Sequence, residues 1–582
     1  MDLVSYFQLD IQDKFSNYLL EKYILNQKYL DLICNFHCIQ NAIEELCKTR
    51  NKLNDEQLLY ISLHIEILEL NLENNYYVTD NGLKNCIHLQ ILNVNGNNNI
   101  TSCDPFSKSL IKLYCRNKSG INDNSLKNCH KLQFLDATGN QYITSCETFA
   151  ESLIELNAGG DCGIDDEGLK NCCNIKKLNA DINRMITTCE PFANSLIELW
   201  AGMYCGINDN GLKNCVNLKI LYAGDNSKIT TCDPFSNTLI KLFASEYCGI
   251  DDNGLKNCHN LQILSIWDNS KITTCDPFAN TLIELYINEF FNNCGIGDEG
   301  LKNCHNIKKL DARNNKKITT CAPFANSLIV LNVGGDCGID DEGLKNCHNI
   351  NTLNAMNNKK ITTCNSFANS LIELNVVGYC RIDNEGLKNC HNIKILDARD
   401  NEKISTCEPF ANSVIELYAS GDCRIGDEGL KNCHNIKTLD SRKNEKITTC
   451  DPFKNSLIEL TASYECGIND EGLKNCINLQ KLNAPYNEKI TTCEPFKNSL
   501  IELTASFECG INDEGLKNCI NLQILDANCN EKITTCEPFK NSLIELGASY
   551  KCGINDEEIL KCKKLKNLYS NGNDKITIVI KN

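Results

Sequence analysis

The chain has 582 residues, of which 42% are apolar, and carries a formal net charge of −17 at pH 7. This charge disfavours binding to nucleic acids or anionic membranes, because the average surface would repel phosphate groups. The sequence contains no apolar run of about 18 residues that could span a bilayer, and the N-terminus lacks the basic and apolar regions of a signal peptide. We therefore expect a soluble, intracellular, cytoplasmic protein.

The first 60 residues differ in sequence from the rest of the chain. Apolar residues recur there at helical spacing, for example Leu19, Leu20, Tyr23 and Ile24. This periodicity predicts a small helical cap at residues 1–60. A cap is needed at that place if a repetitive core follows, since the first repeat must be shielded from water.

Residues 61–570 repeat one unit of fixed length. A cysteine that ends the phrase Leu-Lys-Asn-Cys in nearly every copy recurs in steps of 43 residues, with a single step of 46, at Cys86, Cys129, Cys172, Cys215, Cys258, Cys304, Cys347, Cys390, Cys433, Cys476, Cys519 and Cys562. Repetition at a fixed period is typical of a solenoid, in which each unit packs against its neighbours. We therefore expect one continuous array without a linker.

Each 43-residue unit contains two shorter repeats. The positions that fit L-x-x-L-x-L-x-x-N-x-x-I in one unit are Ile307, Leu310, Ala312, Asn315 and Ile318, and the pattern starts again at Leu328. Because strand side chains alternate, the pattern predicts one short strand per repeat with its leucines facing inward. On the other side we expect a short helix, capped by Asp341, to alternate with a turn in which Phe324 anchors the core.

These patterns resemble those of the leucine-rich repeat family. The segment Ile339-Asp340-Asp341-Glu342-Gly343-Leu344, followed by Cys347, resembles the cysteine-containing subclass that is common in F-box leucine-rich proteins. The chain departs from that subclass at Asp336, where the family often has Asn or Cys, and its cysteine is displaced to Cys337. The resemblance implies an α/β solenoid, a curved horseshoe with about 24 parallel strands on its concave inner face.

The cysteines form three families at 43-residue spacing. An odd total of 39 in a long chain without an export signal favours reduced thiols over disulfides. Zinc is the alternative, since six copies continue Cys-His. Corresponding residues of successive units would lie about 10 Å apart, which is too far for shared coordination. We therefore expect no metal and no cofactor.

The chain ends on an alternating pattern. Ile576, Ile578 and Ile580 are separated by single residues. This period predicts a half-buried closing strand at residues 571–582.

An aromatic cluster interrupts the otherwise polar pattern of the exposed strand positions. It coincides with the only break in the period, a three-residue insertion near residues 287–293, and it contains both tryptophans of the chain: Trp200, Tyr222, Phe243, Trp267, Tyr286, Phe290 and Phe291. Exposed aromatic residues on a concave surface are typical of binding hot spots. The alternative is a ladder of stacked rings that only stabilises the sheet.

Acidic residues also recur at exposed strand positions and form a second candidate site. We define the acidic track as Glu373, Asp397, Glu416, Asp440 and Glu459. Such a track would suit a basic partner. Arginines stand two residues beyond several of the aspartates, so the alternative is a set of internal salt bridges that keep the sheet soluble.

The sequence contains no nucleotide-binding, serine hydrolase or metalloprotease motif, and we expect no enzyme activity. The leading hypothesis is a scaffold that binds a protein partner, either basic or with an apolar anchor, on its concave face. The alternative is a substrate adaptor of a ubiquitin ligase, since residues 7–36 resemble an F-box that would bind the ligase linker protein. The near-identical copies also resemble leucine-rich proteins encoded by large DNA viruses of amoebae, which implies a host protein as partner and the host cytoplasm as location.

Overall fold

The structure is a computed structural model that describes residues 53–64, 66–289 and 294–578. A helix, α1 (Asp55–His64), precedes the first strand. Most of the predicted N-terminal cap, including the F-box-like segment, lies outside the described residues. The same holds for Phe290 and Phe291 of the insertion.

The chain forms two compact units, Met1–Thr273 and Thr274–Asn582. In the described part of the first unit, ten three-residue strands pair in parallel and in sequence order. They are β1 (Glu69–Asn71), β2 (Ile91–Asn93), β3 (Lys112–Tyr114), β4 (Phe134–Asp136), β5 (Glu155–Asn157), β6 (Lys177–Asn179), β7 (Glu198–Trp200), β8 (Ile220–Tyr222), β9 (Lys241–Phe243) and β10 (Ile263–Ser265).

The described part of the second unit contains fourteen strands with the same parallel pairing. They are β11 (Glu284–Tyr286), β12 (Lys309–Asp311), β13 (Val330–Asn332), β14 (Thr352–Asn354), β15 (Glu373–Asn375), β16 (Ile395–Asp397), β17 (Glu416–Tyr418), β18 (Thr438–Asp440), β19 (Glu459–Thr461), β20 (Lys481–Asn483), β21 (Glu502–Thr504), β22 (Ile524–Asp526), β23 (Glu545–Gly547) and β24 (Asn567–Tyr569). The predicted number of strands is confirmed.

The connections between strands alternate between two kinds, as predicted. One kind carries a short α-helix: α2 (Asp80–Leu83), α3 (Asp123–Leu126), α4 (Asp166–Leu169), α5 (Asp209–Leu212) and α6 (Asp252–Leu255) in the first unit, and α7 (Asp298–Leu301), α8 (Asn384–Leu387), α9 (Asp427–Leu430), α10 (Asp470–Leu473), α11 (Asp513–Leu516) and α12 (Asp556–Lys561) in the second. Residues 341–346 form a turn at the equivalent place.

The other kind carries a 3-10 helix whose phenylalanine is buried. These helices are Asp104–Phe106, Glu147–Phe149, Glu190–Phe192 and Asp233–Phe235 in the first unit, and Asp276–Phe278, Ala322–Phe324, Asn365–Phe367, Glu408–Phe410, Asp451–Phe453, Glu494–Phe496 and Glu537–Phe539 in the second. Proline at the second position of most of them suits the first turn, because its missing N–H has no partner there.

In β1 to β23 the central leucine is buried and forms the core, and its two neighbours lie on the opposite face of the sheet. In β7, for example, Leu199 is fully buried while Glu198 and Trp200 are half-buried. Leu199 pairs in register with Leu221 of β8. The same register in successive strands places equivalent side chains of the exposed sheet face next to one another.

The helix cap was predicted one residue too late. The side chain of Asp340, not Asp341, accepts the backbone N–H of Gly343, at 2.9 Å. Asp341 instead reaches the following repeat, where its carboxylate accepts the N–H of Thr362 at 2.8 Å and the hydroxyl of the same residue at 2.5 Å. The two acidic residues therefore have different roles, since Asp340 caps the start of the turn and Asp341 joins neighbouring repeats.

A buried asparagine in each 43-residue unit satisfies backbone groups of two strand connections. The amide of Asn444 donates to the carbonyls of Ala419 and Ile425 at 2.7 and 3.0 Å, and its oxygen accepts the N–H of Lys446 at 2.9 Å. Since irregular backbone cannot satisfy itself as a helix does, such an amide replaces the missing partners.

The C-terminal prediction does not hold in the described residues. Residues 571–578 contain no strand, although Ile576 is buried. Residues 579–582, which include Ile580, lie outside the described residues. Among the described residues the last strand is β24, and Ile576 and Ile578 lie in the irregular segment that follows it.

Candidate functional site

The candidate site of the first unit is a stack of three aromatic rings on the exposed sheet face. The ring centroids of Trp200 and Tyr222 are 4.8 Å apart with an angle of 4° between the planes, and those of Tyr222 and Phe243 are 4.3 Å apart at 8°. The rings stack because parallel register places them at the same position of β7, β8 and β9. We call these three residues the aromatic stack.

Two glycines follow the aromatic stack, and only one of them is open. Gly224 stands two residues beyond Tyr222, and a Cβ atom there would have no neighbour nearer than 3.9 Å. Gly202, two residues beyond Trp200, is buried, and its N–H donates to the carboxylate of Asp181 at 2.6 Å. The stack is therefore bordered by open backbone at Gly224, where an apolar group can lie.

Trp267 follows β10 in the same unit and is half-buried. Its carbonyl accepts the N–H of Glu246 at 2.9 Å, which fixes the backbone of these two connections to each other. Partial desolvation and a hydrogen bond with Asp225 raise the pKa of the Glu246 carboxyl. The carboxyl groups of Asp225 and Glu246 were not predicted from the sequence, because they lie in the connections that follow the strands.

Three predicted members of the cluster, Tyr286, Phe290 and Phe291, belong to the second unit. Tyr286 lies on β11 of the second unit, where its hydroxyl donates to Glu284 at 2.6 Å and Lys309 lies 5.2 Å from its ring centroid. Tyr286 therefore contacts the charged side chains of its own unit. Phe290 and Phe291 lie outside the described residues.

The acidic track is largely neutralised by the protein itself. Arg399 donates two hydrogen bonds to Asp397, at 2.8 and 2.7 Å, and Arg442 forms the same bidentate pair with Asp440. Lys481 lies 3.2 Å from Glu459. Glu416 accepts the hydroxyl of Tyr418 at 3.2 Å. Glu373 lies 3.5 Å from the hydroxyl of Thr352. This geometry favours the interpretation that internal pairs hold these carboxylates.

A second row of aromatic residues, which the sequence analysis missed, lies just beyond the strands of the second unit. The ring centroids of Tyr464 and Tyr486 are 5.1 Å apart, and those of Tyr486 and Phe507 are 4.5 Å apart, both pairs nearly parallel. All three residues have φ near +58° and are exposed to solvent. We call them the aromatic ledge.

The cysteines line the core. Among the described residues, all except the exposed Cys173 and the half-buried Cys529 are buried. Burial raises the pKa of the Cys337 thiol to about 11, although two backbone N–H groups and Lys360 lower it slightly. The imidazoles that follow the Lys-Asn-Cys cysteines contact carbonyl oxygens of the next repeat, as in His348, whose Nδ1 lies 2.8 Å from the oxygen of Ser366.

The rate of alkylation should distinguish the exposed thiol of Cys173 from the buried thiols. Iodoacetamide at pH 8 is expected to label Cys173 of the native protein rapidly and the buried cysteines only after unfolding, because the reagent must reach the thiolate and burial prevents this. Peptide mass spectrometry measures the rate at each cysteine. Rapid labelling of Cys337 or Cys347 in the native protein would contradict the burial described above.

Two further features are absent from the described residues. No group of three or more His, Cys, Asp and Glu side chains there is arranged to hold a metal ion. In the same residues, no helix is long and apolar enough to cross a membrane.

The parallel three-residue strands, the alternating helical connections and the buried asparagines define a leucine-rich repeat solenoid. No protein-family model matches the chain, and no curated protein matches its sequence. Its fold is similar to solved structures of low sequence identity, so this similarity concerns the fold alone.

Three solved structures illustrate the similarity. The TLR13–ssRNA13 complex is 17% identical over 82% of this chain and 68% of that chain, with a TM-score of 0.41. An internalin (inlF) from Listeria monocytogenes is 18% identical over 76% of this chain and 96% of that chain, with a TM-score of 0.25. The plant peptide hormone receptor RGFR1, in complex with RGF2, is 15% identical over 86% of this chain and 89% of that chain, with a TM-score of 0.37.

Proposed function

We propose that the protein is a non-enzymatic scaffold that binds a protein partner on the exposed sheet face of its first unit. The observation that carries this proposal is the aromatic stack of Trp200, Tyr222 and Phe243 beside the open backbone at Gly224. Large aromatic side chains next to an open backbone surface are typical of the centre of a protein interface.

The chemistry of the surroundings indicates what the partner carries. The stack and the open backbone at Gly224 offer an apolar surface, while the half-buried Asp225 and Glu246 stand in the connections beyond β8 and β9. A partner with an apolar anchor and a neighbouring basic group would match both parts. The net charge of −17 adds long-range attraction for a basic protein.

The stack can serve binding and stability together. Because the rings cover each other, a single substitution removes one or two ring contacts, each worth about 0.5–1.5 kcal/mol. A hot-spot residue contributes about 2 kcal/mol or more to binding. A binding role is therefore distinguished by a loss of affinity that exceeds the loss of stability.

The test begins with ligands selected from a random peptide library displayed on phage, with the full chain as bait. Trp200→Ala and Tyr222→Ala are each expected to weaken the selected peptide by about 2 kcal/mol or more. Isothermal titration calorimetry measures the affinity, and urea unfolding measures the stability. Tyr569→Ala is the matched control, since Tyr569 occupies the same position of β24 and lies outside the stack. Unchanged affinity in both variants, together with a lower free energy of unfolding, would show that the stack is only structural.

A further inference from the structure

The aromatic ledge occupies left-handed backbone positions that several other repeats fill with glycine or asparagine. The equivalent residues of earlier repeats in the second unit include Gly335, Asn357 and Gly378, which have φ between +58° and +73°. Such angles are unfavourable for a residue with a large side chain. Tyr464, Tyr486 and Phe507 nevertheless hold them in three successive repeats, and Tyr550 follows after Cys529. Strained residues that persist side by side point to a function of the surface that they form.

The ledge is apolar and open to solvent. The exposed fractions of Tyr464, Tyr486 and Phe507 are 43, 37 and 40%, and that of Tyr550 is 60%. Because the rings lie face to face, they cover each other's faces and turn their edges outward. The resulting strip is suited to lie against a flat or elongated apolar group rather than to receive a single ring between its members.

A row of carboxylates runs beside the ledge. Five exposed glutamates lie one or two residues beyond a ledge position or beyond the equivalent position of an adjacent repeat. We call them the acidic fringe: Glu445, Glu465, Glu488, Glu508 and Glu531. None of them forms an ion pair within the described residues. Glutamates on the helical side of the same repeats differ, since Glu471 and Glu514 are paired with Lys474 and Lys517.

The protein already places one cation of its own on the ledge. The ammonium group of Lys443 lies 5.3 Å from the ring centroid of Tyr464, at the end of the row. This contact shows that the outer ring face can hold a cation at a normal cation–π distance. Lysine and arginine combine such a charged group with an apolar stem that packs along apolar surface.

We propose that the aromatic ledge and the acidic fringe form a second binding surface, specific for a lysine- and arginine-rich segment of a protein. The apolar stems lie across the ring edges, and the charged groups reach the fringe carboxylates. A nucleic acid would also stack on aromatic rings, but the five carboxylates repel its phosphates. This surface lies in the second unit and does not depend on the function proposed for the aromatic stack.

The test uses fluorescein-labelled nona-arginine as the probe and the full chain, with binding followed by fluorescence anisotropy. The double variant Tyr486→Gly, Phe507→Gly is expected to bind about tenfold more weakly. Glycine suits both backbone positions, so this variant should keep its fold, which circular dichroism and urea unfolding check. The triple variant Glu465→Gln, Glu488→Gln, Glu508→Gln should lose affinity to a similar extent and depend less on salt.

Two matched controls act on the same unit away from the ledge. Tyr379→Ala removes an exposed ring, and Glu471→Gln removes a carboxylate of the helical side. Both should bind the probe within about twofold of the original chain. The proposal is overturned if nona-arginine does not bind saturably, if the double glycine variant binds as well as the original chain, or if an oligothymidylate binds with equal affinity. A ligand of the aromatic stack should keep its affinity in the ledge variants, which separates this test from that of the first unit.

Discussion

Replacing Cys347 by aspartate is expected to lower the free energy of unfolding by about 4 kcal/mol or more. Cys347 is fully buried beside the thiol of Cys321. A carboxylate at that place would have to be buried in its charged form or be protonated. Urea unfolding followed by circular dichroism measures the change, and the slope of the transition shows whether only part of the array unfolds.

The matched control is the same substitution at an exposed cysteine. Cys173 directly follows Cys172, which is the equivalent of Cys347 in an earlier unit, and it is exposed. Cys173→Asp should change the free energy of unfolding by less than about 0.5 kcal/mol. Equal effects of the two substitutions would mean that Cys347 is not part of a dry core.

Asn444→Leu is expected to have the second largest effect, a loss of about 3 kcal/mol or more. The substitution removes an amide that is 1% exposed and leaves the carbonyls of Ala419 and Ile425 and the N–H of Lys446 without partners. Each buried polar group left unsatisfied costs about 1–3 kcal/mol. Leucine adds apolar contacts that recover only part of this loss.

Thermal and urea unfolding of Asn444→Leu should be compared with Asn435→Ala. Asn435 donates one hydrogen bond, to the carbonyl of Asn412 at 2.8 Å, from an exposed position. Its loss should cost about 1 kcal/mol or less, because water replaces the missing partner. If the two variants were equally stable, the buried asparagines would not be needed to satisfy the strand connections.

The repeating core could be predicted from the sequence because it depends on local patterns. The inward leucines, the buried Phe324 and the alternation of helix and turn all follow from apolar spacing and turn chemistry. The cap was misplaced by one residue at Asp340 and Asp341, since two adjacent acidic residues are equally suited to cap a helix in a sequence. Only the geometry of the next repeat, where Thr362 receives Asp341, distinguishes them.

The candidate surfaces were predicted less completely, because they depend on side chains that meet across repeats. Alternation along a strand correctly placed Trp200, Tyr222 and Phe243 on one face, but it could not show that their rings stack. The aromatic ledge was missed since it lies past the strand, where alternation gives no information. A signal was present, because glycine, asparagine and aspartate recur at that position in other repeats and mark a left-handed backbone.

Tryptophan fluorescence tests the central claim most directly, since both tryptophans of the chain, Trp200 and Trp267, belong to the first unit. A peptide selected on the full chain, itself free of tryptophan, is titrated while emission and acrylamide quenching are recorded. Binding on the exposed sheet face of the first unit predicts protection from quenching that saturates with the dissociation constant measured by calorimetry. Tight binding by calorimetry with unchanged emission and quenching of both tryptophans would contradict the account.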